Sequence, residues 1–359
     1  MPTNTSVVNL DADGAHQTNM IHWLRNLILV LLSIVGIACP QPETLQSRAD
    51  FRIRDPYILV DRENGWYYLY STMTTTDDNS KKHPGVGVRT SRDLQLWNEQ
   101  KQVLQIPDGY WGEQMLWAPE VHKYRDKYYI FTTLTGGDSL KQIEGRPPIV
   151  RRASFVFWSD KPTGPFLPFT DKPHTPENWM ALDATLWVED DVPWMIFCHE
   201  WIQVTDGTME LVQMTSDLSS VVGTPTTLFT ATEGNWVRSL GKVGSQNREG
   251  YVTDGPFLYR TKTGRLLMIW SSFGEQKYAV AVAYSETGKI TGPWTQVQEP
   301  LFKANGGHGM LFTSLDDKLM LSLHQPNSNS KERLRLFELD DLGERLAITG
   351  ELPMPESGE

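Results

Sequence analysis

LDATLWVEDDVPWMIFCHEW, residues 182–201, decides the fold. An apolar run, ATLWV, meets the polar turn EDD, and a second apolar run, PWMIF, follows. Two short runs rich in β-branched and aromatic residues around an acidic turn predict a β-hairpin. This hairpin carries a carboxylate at each end, Asp183 and Glu200. Hairpin strands run antiparallel, so the first and last residues return to the same end. The two acids are therefore expected to be neighbours in space.

The same unit recurs. YILVDRENGWYYLYST, EVHKYRDKYYIFTTL, FLYRTKTGRLLMIWSS and MLFTSLDDKLMLSLH each read as strand, polar turn, strand. The five hairpins begin near Asp55, Glu120, Asp183, Asp254 and His308, at intervals of roughly 55 to 70 residues, as propeller blades with insertions do. RTSRDLQLW (89–97), WSDKPTGPF (158–166) and YSETGKITGPW (284–294) echo one another as a third strand turning toward an outer one. Nothing between residues 51 and 359 has the length and 3.6-residue period of a long helix. Five units of about four strands predict an all-β fold, a five-bladed β-propeller forming a single catalytic domain over residues 51–359. A β-sandwich, the alternative, leaves the common phase of the hairpins unexplained.

Composition narrows the partners. A formal net charge of -11 argues against nucleic acid, whose phosphates would be repelled. Thirteen Trp, 12 Tyr and 13 Phe with that acidic balance suit a neutral polar ligand that stacks on rings, such as a sugar. Residues 1–39 read as an export signal: Arg25 and Asn26 precede an apolar run too short to span a bilayer, ending in VGIAC. Cys39 then sits as in a bacterial lipobox, with Gly36 where Leu, Val or Ile is usual. The polar, acidic residues 1–19 do not suit a signal's first region, which makes Met20 an alternative start. Residues 40–50 read as a linker. The expected location is the bacterial periplasm or cell surface, with lipid anchorage to a membrane through Cys39. Cys198 would then be the one remaining thiol, with no intramolecular disulfide to form, and inside MIFCHEW it reads as a small buried hydrophobe. No CxxC or HExxH spacing supports a structural zinc, and nothing in the sequence speaks to oligomeric state.

In a propeller the innermost strands all start at one end of the axis, so Asp55 in RIRDPY, Asp183 in ALDATLW and Asp254 in TDGPFLY converge there, with Glu200 beside them. Gathered like charges raise the pKa of one member. Carboxyl groups of split pKa are what glycoside hydrolysis uses, one ionised to activate water and one protonated to donate to the leaving oxygen.

Taken in order, RDPY (54–57), WAPE (117–120), LDATLW (182–187), DGPFLY (254–259) and GGHGM (306–310) resemble the blade-start motifs of glycoside hydrolase family 43, over nearly the whole chain from about residue 51. The resemblance implies a five-bladed propeller enzyme that removes arabinofuranose, xylose or galactose from plant polysaccharides with inversion. It implies that Asp55 is the general base and that Asp183 tunes the pKa of the general acid. The family's acid is the Glu of a Glu-Gly-Pro at the fourth blade; here Asp254-Gly255-Pro256 stands there, one methylene shorter. A displaced acid costs orders of magnitude in rate. Glu200, longer and at the returning end of the Asp183 hairpin, is the first choice for the acid, and Asp254 the second. A water-coordinated calcium near His308 is a further expectation. Trp117 and Trp201 are expected to stack on sugar, Glu120 to bind hydroxyls and His324 to line the pocket. The activity expected is an inverting exo-acting glycoside hydrolase releasing α-L-arabinofuranose. The alternatives are a β-xylosidase, a galactosidase, or a carbohydrate-binding propeller that has lost its acid.

Overall fold

The hairpin at 182–201 forms as read: strands Ala181–Glu189 and Val192–His199 pair in antiparallel register from Ala181 opposite His199 to Glu189 opposite Val192. Asp190 and Asp191 make its turn with φ of 51° and 63°, the left-handed pair that a two-residue turn of this hand requires and that Asp tolerates. The computed structural model describes residues 44–243, 246–328 and 330–355. Among them, five four-stranded antiparallel sheets follow one another along the chain. Blade 1 comprises Tyr57–Asp61, Trp66–Thr76, Lys82–Ser91 and Lys101–Gln105; blade 2 comprises Met115–Tyr124, Lys127–Lys141, Ile149–Ser159 and Leu167–Pro168. Blade 3 adds Thr208–Met214 and Val221–Thr230 to the first hairpin. Blade 4 holds Asp254–Arg260, Leu266–Gly274, Lys277–Ser285 and Trp294–Gln296, and blade 5 holds Gly307–Thr313, Leu319–Gln325, Arg333–Asp341 and Leu346–Glu351. The first strand of each blade touches those of its two neighbours, closing a ring. The fold is the five-bladed β-propeller.

The core lies between the blades. Phe131 and Val156 of blade 2 meet Met195 and Phe197 of blade 3; Ile196 and Met209 of blade 3 meet Met268 and Trp270 of blade 4; Ile269 of blade 4 meets Leu321 of blade 5. Cys198 is fully buried against Met209, as its apolar setting led us to expect.

The axial ends share a backbone device that the sequence reading placed slightly out of phase. In blades 2 to 5 the pairing of the first hairpin slips at Trp117/Glu120, Leu182/Thr185, Asp254/Phe257 and Gly307/Met310. Each slip contains a residue of positive φ: Ala118 (45°), Asp183 (56°), Gly255 (49°) and His308 (52°), with Asp55 (49°) at the same point of blade 1. The equivalent blade starts are therefore Asp55, Ala118, Asp183, Gly255 and His308. Glu120 lies two residues deeper than expected, and Asp254 one residue earlier. A non-glycine residue held left-handed costs on the order of 1–3 kcal/mol and persists where its surroundings fix it. Here a side chain on the second strand of the preceding blade accepts its N–H. Asp55 donates to His324 Nδ1 at 3.3 Å, Asp183 to Thr133 Oγ1 at 2.9 Å, and His308 to Ser271 Oγ at 2.9 Å.

All four strands of blade 5 come from residues 307–351, so the ring is closed by the segment ahead of blade 1 and not by a shared sheet. Gln46–Ser47 pair with Leu96–Trp97, and the Arg48 guanidinium reaches the carbonyls of Leu352 and Pro353. Arg333 donates to the Ala49 carbonyl at 2.8 Å. Glu332, its side chain wholly buried, takes Arg52 at 2.9 Å and Arg54 at 3.3 Å. The propeller thus begins before residue 51, and the end of the expected linker is part of it. Cys39, Met20 and the rest of the expected export segment lie outside the described residues. Among the described residues, no helix is long and apolar enough to cross a membrane.

Removing the clasp should cost what two charge-assisted hydrogen bonds to half-exposed arginines are worth. Glu332→Ala is expected to lose about 2 kcal/mol, seen as a melting temperature lower by several degrees with an unchanged far-UV circular dichroism spectrum.

Candidate active site

The residues of the common phase meet around one imidazole. His308 Nδ1 lies 3.3 Å from Asp254 Oδ1, 3.4 Å from Asp55 Oδ1 and 3.9 Å from Asp183 Oδ2. Gly255 donates its N–H to Asp183 Oδ2 at 3.3 Å, and the Tyr278 hydroxyl donates to Asp254. Gly255 lies tight against the imidazole: a Cβ there would stand 3.0 Å from the His308 ring. Ala118, the equivalent residue of blade 2, presents only a methyl group and is buried.

Burial and charge oppose each other at every group. For His308, burial alone disfavours the cation, but Asp55, Asp183 and Asp254 outweigh it and hold its pKa near 10. For Asp55, burial disfavours the anion, but the His308 and Arg54 charges prevail and bring its carboxyl to about 2. Asp183 goes the other way: burial, with Asp254 pressed beside it, raises it well above the carboxylate range. Asp254 stays ionised below that range despite its burial, because Asp183, His308 and Tyr278 all hydrogen-bond to it. One proton therefore rests on Asp183, shared toward Asp254, while Asp55 and Asp254 carry charge against one imidazolium.

Glu200 joins this group from blade 3, as the antiparallel hairpin predicts. Its N–H donates to the Met180 carbonyl at 2.8 Å, and its carboxylate forms an ion pair with Arg152. Arg152 Nε donates to Thr135 Oγ1 at 3.1 Å, and the guanidinium lies 4.2 Å over the Trp117 ring. Burial raises the Glu200 pKa, Arg152 draws it back, and Asp254 adds to the rise.

Several expected sugar contacts turn out to stand behind the site. His324 is fully buried; its Nδ1 lies 3.3 Å from both the N–H and Oδ1 of Asp55, and its ring stacks on Tyr278. Glu120 is buried below the mouth with its carboxylate 3.0 Å from His122 Nε2, and His122 Nδ1 lies 3.3 Å from the Tyr57 hydroxyl. Trp201 is buried against Gly250, where a Cβ would come within 2.4 Å of its ring. Trp117 stays half-buried, with one ring face under Arg152. Sequence reasoning missed Arg152, Tyr278 and the stacked pair Trp179–His199, whose centroids are 4.1 Å apart. Neither Arg152 nor Tyr278 lies on a first hairpin, the only place where a blade-start pattern could have marked them.

Asp183, Asp254 and His308 each offer a ligand atom within 4.8 Å of one another. A calcium beside His308 takes six to eight oxygens and would draw most of them from water.

The rim of the mouth is uneven. The second strand of blade 2 runs eight residues past Thr133 to Lys141, ~25 Å of extended chain. The loop that follows bonds to the connector between blades 3 and 4, with Asn247 N–H donating to the Gly145 carbonyl at 2.7 Å and Arg146 to that of Glu249 at 3.1 Å. Blade 1 also rises, its hairpin tip tied by Lys81 to Asp108 at 2.7 Å. In blade 4 the second strand ends at Gly274 and the third starts at Lys277, so that side is low. Beside it lies a cleft of about 310 Å³ lined by Trp236, Arg238, Lys277 and Gln298.

The model of the family described as glycosyl hydrolases family 43 matches residues 49–348. A solved structure of an endo-arabinase from Bacteroides thetaiotaomicron VPI-5482 is 34% identical, with a TM-score of 0.71 over 88% of this chain and 99% of that one. An α-L-arabinofuranosidase from Lactobacillus brevis shares the fold at 17% identity, with a TM-score of 0.67 over 89% and 98% of the two chains. The extracellular endo-α-(1→5)-L-arabinanase 1 of Bacillus subtilis (strain 168) is 23% identical over 197 residues, 52% of this chain; the match spans just over half, 56%, of that relative's length.

The buried imidazolium has a signature in stability. His308 gains proton affinity on folding, so its contribution is complete below an unfolded value of about 6.5 and is lost as pH rises toward about 10. Denaturant titrations should show wild-type stability falling between pH 7 and pH 10. His308→Gln should be less stable at pH 7 and lack that part of the slope; parallel slopes would refute a charged His308.

Proposed function

The chain belongs to glycosyl hydrolases family 43, and we propose that it releases terminal α-L-arabinofuranose from an arabinan-type polysaccharide with inversion. It is a glycosidase, and the arrangement that carries the reading is the division of charge at the mouth. Asp55, ionised and fixed by His308 and His324, is the general base that takes a proton from the attacking water. Glu200 is the general acid. Asp254 is a poor donor, since its carboxylate is committed to Tyr278, His308 and the proton of Asp183. Its charge instead favours the protonated form of Glu200. Asp183 acts at one remove, holding Asp254 in place and sharing its proton with it. Inversion needs base and acid about 6.5–9.5 Å apart, with room between them for water and sugar.

Arabinan as substrate is supported by the endo-arabinase likeness at 34% identity over 99% of that chain. Terminal cleavage is supported by the raised strands of blades 1 and 2 and by the loop bonded to the connector between blades 3 and 4, which would hinder a polymer from crossing the mouth and leave the low side of blade 4 for the rest of the chain. Export, with lipid on Cys39, rests on the leader-like sequence and on the extracellular relative. A non-catalytic propeller is the second reading, favoured by Asp254 where the family has Glu.

Nitrophenyl arabinofuranoside, xyloside and galactoside together decide between these readings. Release from none, with arabinan still bound, would leave the binding protein. Asp55→Asn should lose nearly all turnover with binding intact. Glu200→Gln should cost more than Asp254→Asn on substrates with a poor leaving group, where proton donation matters most; the reverse order would move the acid to Asp254. Proton NMR of the first-formed sugar should show the inverted anomer. Linear arabinan should yield arabinose alone, and a variant with residues 142–148 shortened to a tight turn should also yield oligomers.

A further inference from the structure

We propose that Arg152 is the positioning residue for Glu200, held for that task between the Trp117 ring, the Thr135 hydroxyl and the Glu200 carboxylate. The proposal rests on Glu200 being the acid. Arg152 sits on the third strand of blade 2, paired with Thr135 and bridged through its backbone to Met180, in the lead-in to blade 3. Glu200 is tied to the same Met180 through its N–H. Both backbones are thus fixed to one residue, and the side chains close a short circuit across two blades. A guanidinium suits the place because its planar fork bonds at Nε and Nη1 while its face lies on an aromatic ring. A lysine offers one point charge and cannot do all three. Arg152 is 6% exposed and Glu200 9%, so water does not compete for the pair, and removing the cation would leave a carboxyl group free to turn.

The charges facing Glu200 are Arg152 from blade 2 and Asp254 from blade 4; His199, which ends the strand before it, is held below the usual imidazole range by burial. Asp254 favours the acid form and Arg152 the anion. In the reaction the Glu200 proton passes to the glycosidic oxygen as the bond from that oxygen to the anomeric carbon breaks. The carboxylate left behind stays paired with Arg152, while the attacking water gives its proton to Asp55. The cation binds the anion more strongly than the acid form, so its hold on Glu200 tightens as the proton leaves.

The test compares full-length Arg152→Met, Arg152→Lys and Thr135→Val with wild type on dinitrophenyl and methyl arabinofuranosides, recording kcat/KM against pH. Arg152→Met should lose on the order of 10²-fold in kcat on the methyl glycoside, as a misplaced catalytic group does, and less than about tenfold on the dinitrophenyl one, where proton donation contributes little. Its alkaline limb should move to higher pH, because removing a cation raises the affinity of Glu200 for its proton. Arg152→Lys and Thr135→Val should show the same pattern at smaller size, and they carry the test if Arg152→Met fails to fold. Equal losses on both substrates with an unmoved alkaline limb would make Arg152 merely structural and overturn the proposal while Glu200 remains the acid. If Glu200→Gln keeps its activity on the methyl glycoside, the acid assignment fails first and this proposal falls with it.

Discussion

Three aspartates and a histidine share the buried end of the propeller axis, and the rest of the site follows from how their charges are settled. Carboxylates within about 4 Å of one imidazole would repel strongly at low dielectric if all were ionised. The imidazolium of His308 offsets part of that repulsion, and a proton retained on Asp183 offsets more. The remaining charge falls on Asp55, the proposed general base, and on Asp254. Reaching this geometry needs the backbone of each blade start to turn left-handed, and a side chain from the neighbouring blade accepts the N–H at three of them. Active-site strain is therefore supported by packing between blades, and the ring must be closed for it to persist. The buried Glu332 clasp and the electrostatics of the mouth are linked in this way.

Much of this was legible in the chain. Alternating apolar runs with acidic turns define hairpins, and antiparallel pairing alone brings Asp183 and Glu200 to one end. Phase within a bulge was not legible. WAPE and DGP each hold an acid within two residues of the one that turns left-handed, so Glu120 and Asp254 were read as blade starts where Ala118 and Gly255 stand. Depth was also hidden. His324, Trp201 and Glu120 lie near the mouth in sequence terms, but whether a side chain faces the ligand or the wall depends on contacts with segments distant in sequence. Arg152 had no signal, because its place is set by the tilt of one blade against the next.

The exchange of Glu for Asp at position 254 makes sense against these partners. A carboxylate drawn back by one methylene comes within hydrogen-bonding reach of Tyr278 and of His308, which lies 3.3 Å from it. Each bond stabilises the anion, so the shortened residue becomes a better holder of charge and a worse donor of protons. That change alone would disable an acid–base pair. Beside it, however, Glu200 is buried, feels the Asp254 anion, and is balanced by a cation stacked on Trp117. Under the roles proposed here the proton moves from one blade to its neighbour, and the old acid position becomes the electrostatic partner of the new one. A site organised in this way depends on Arg152 and Asp254 opposing each other across Glu200. The balance between them, more than the identity of the acid itself, then sets how readily the proton leaves.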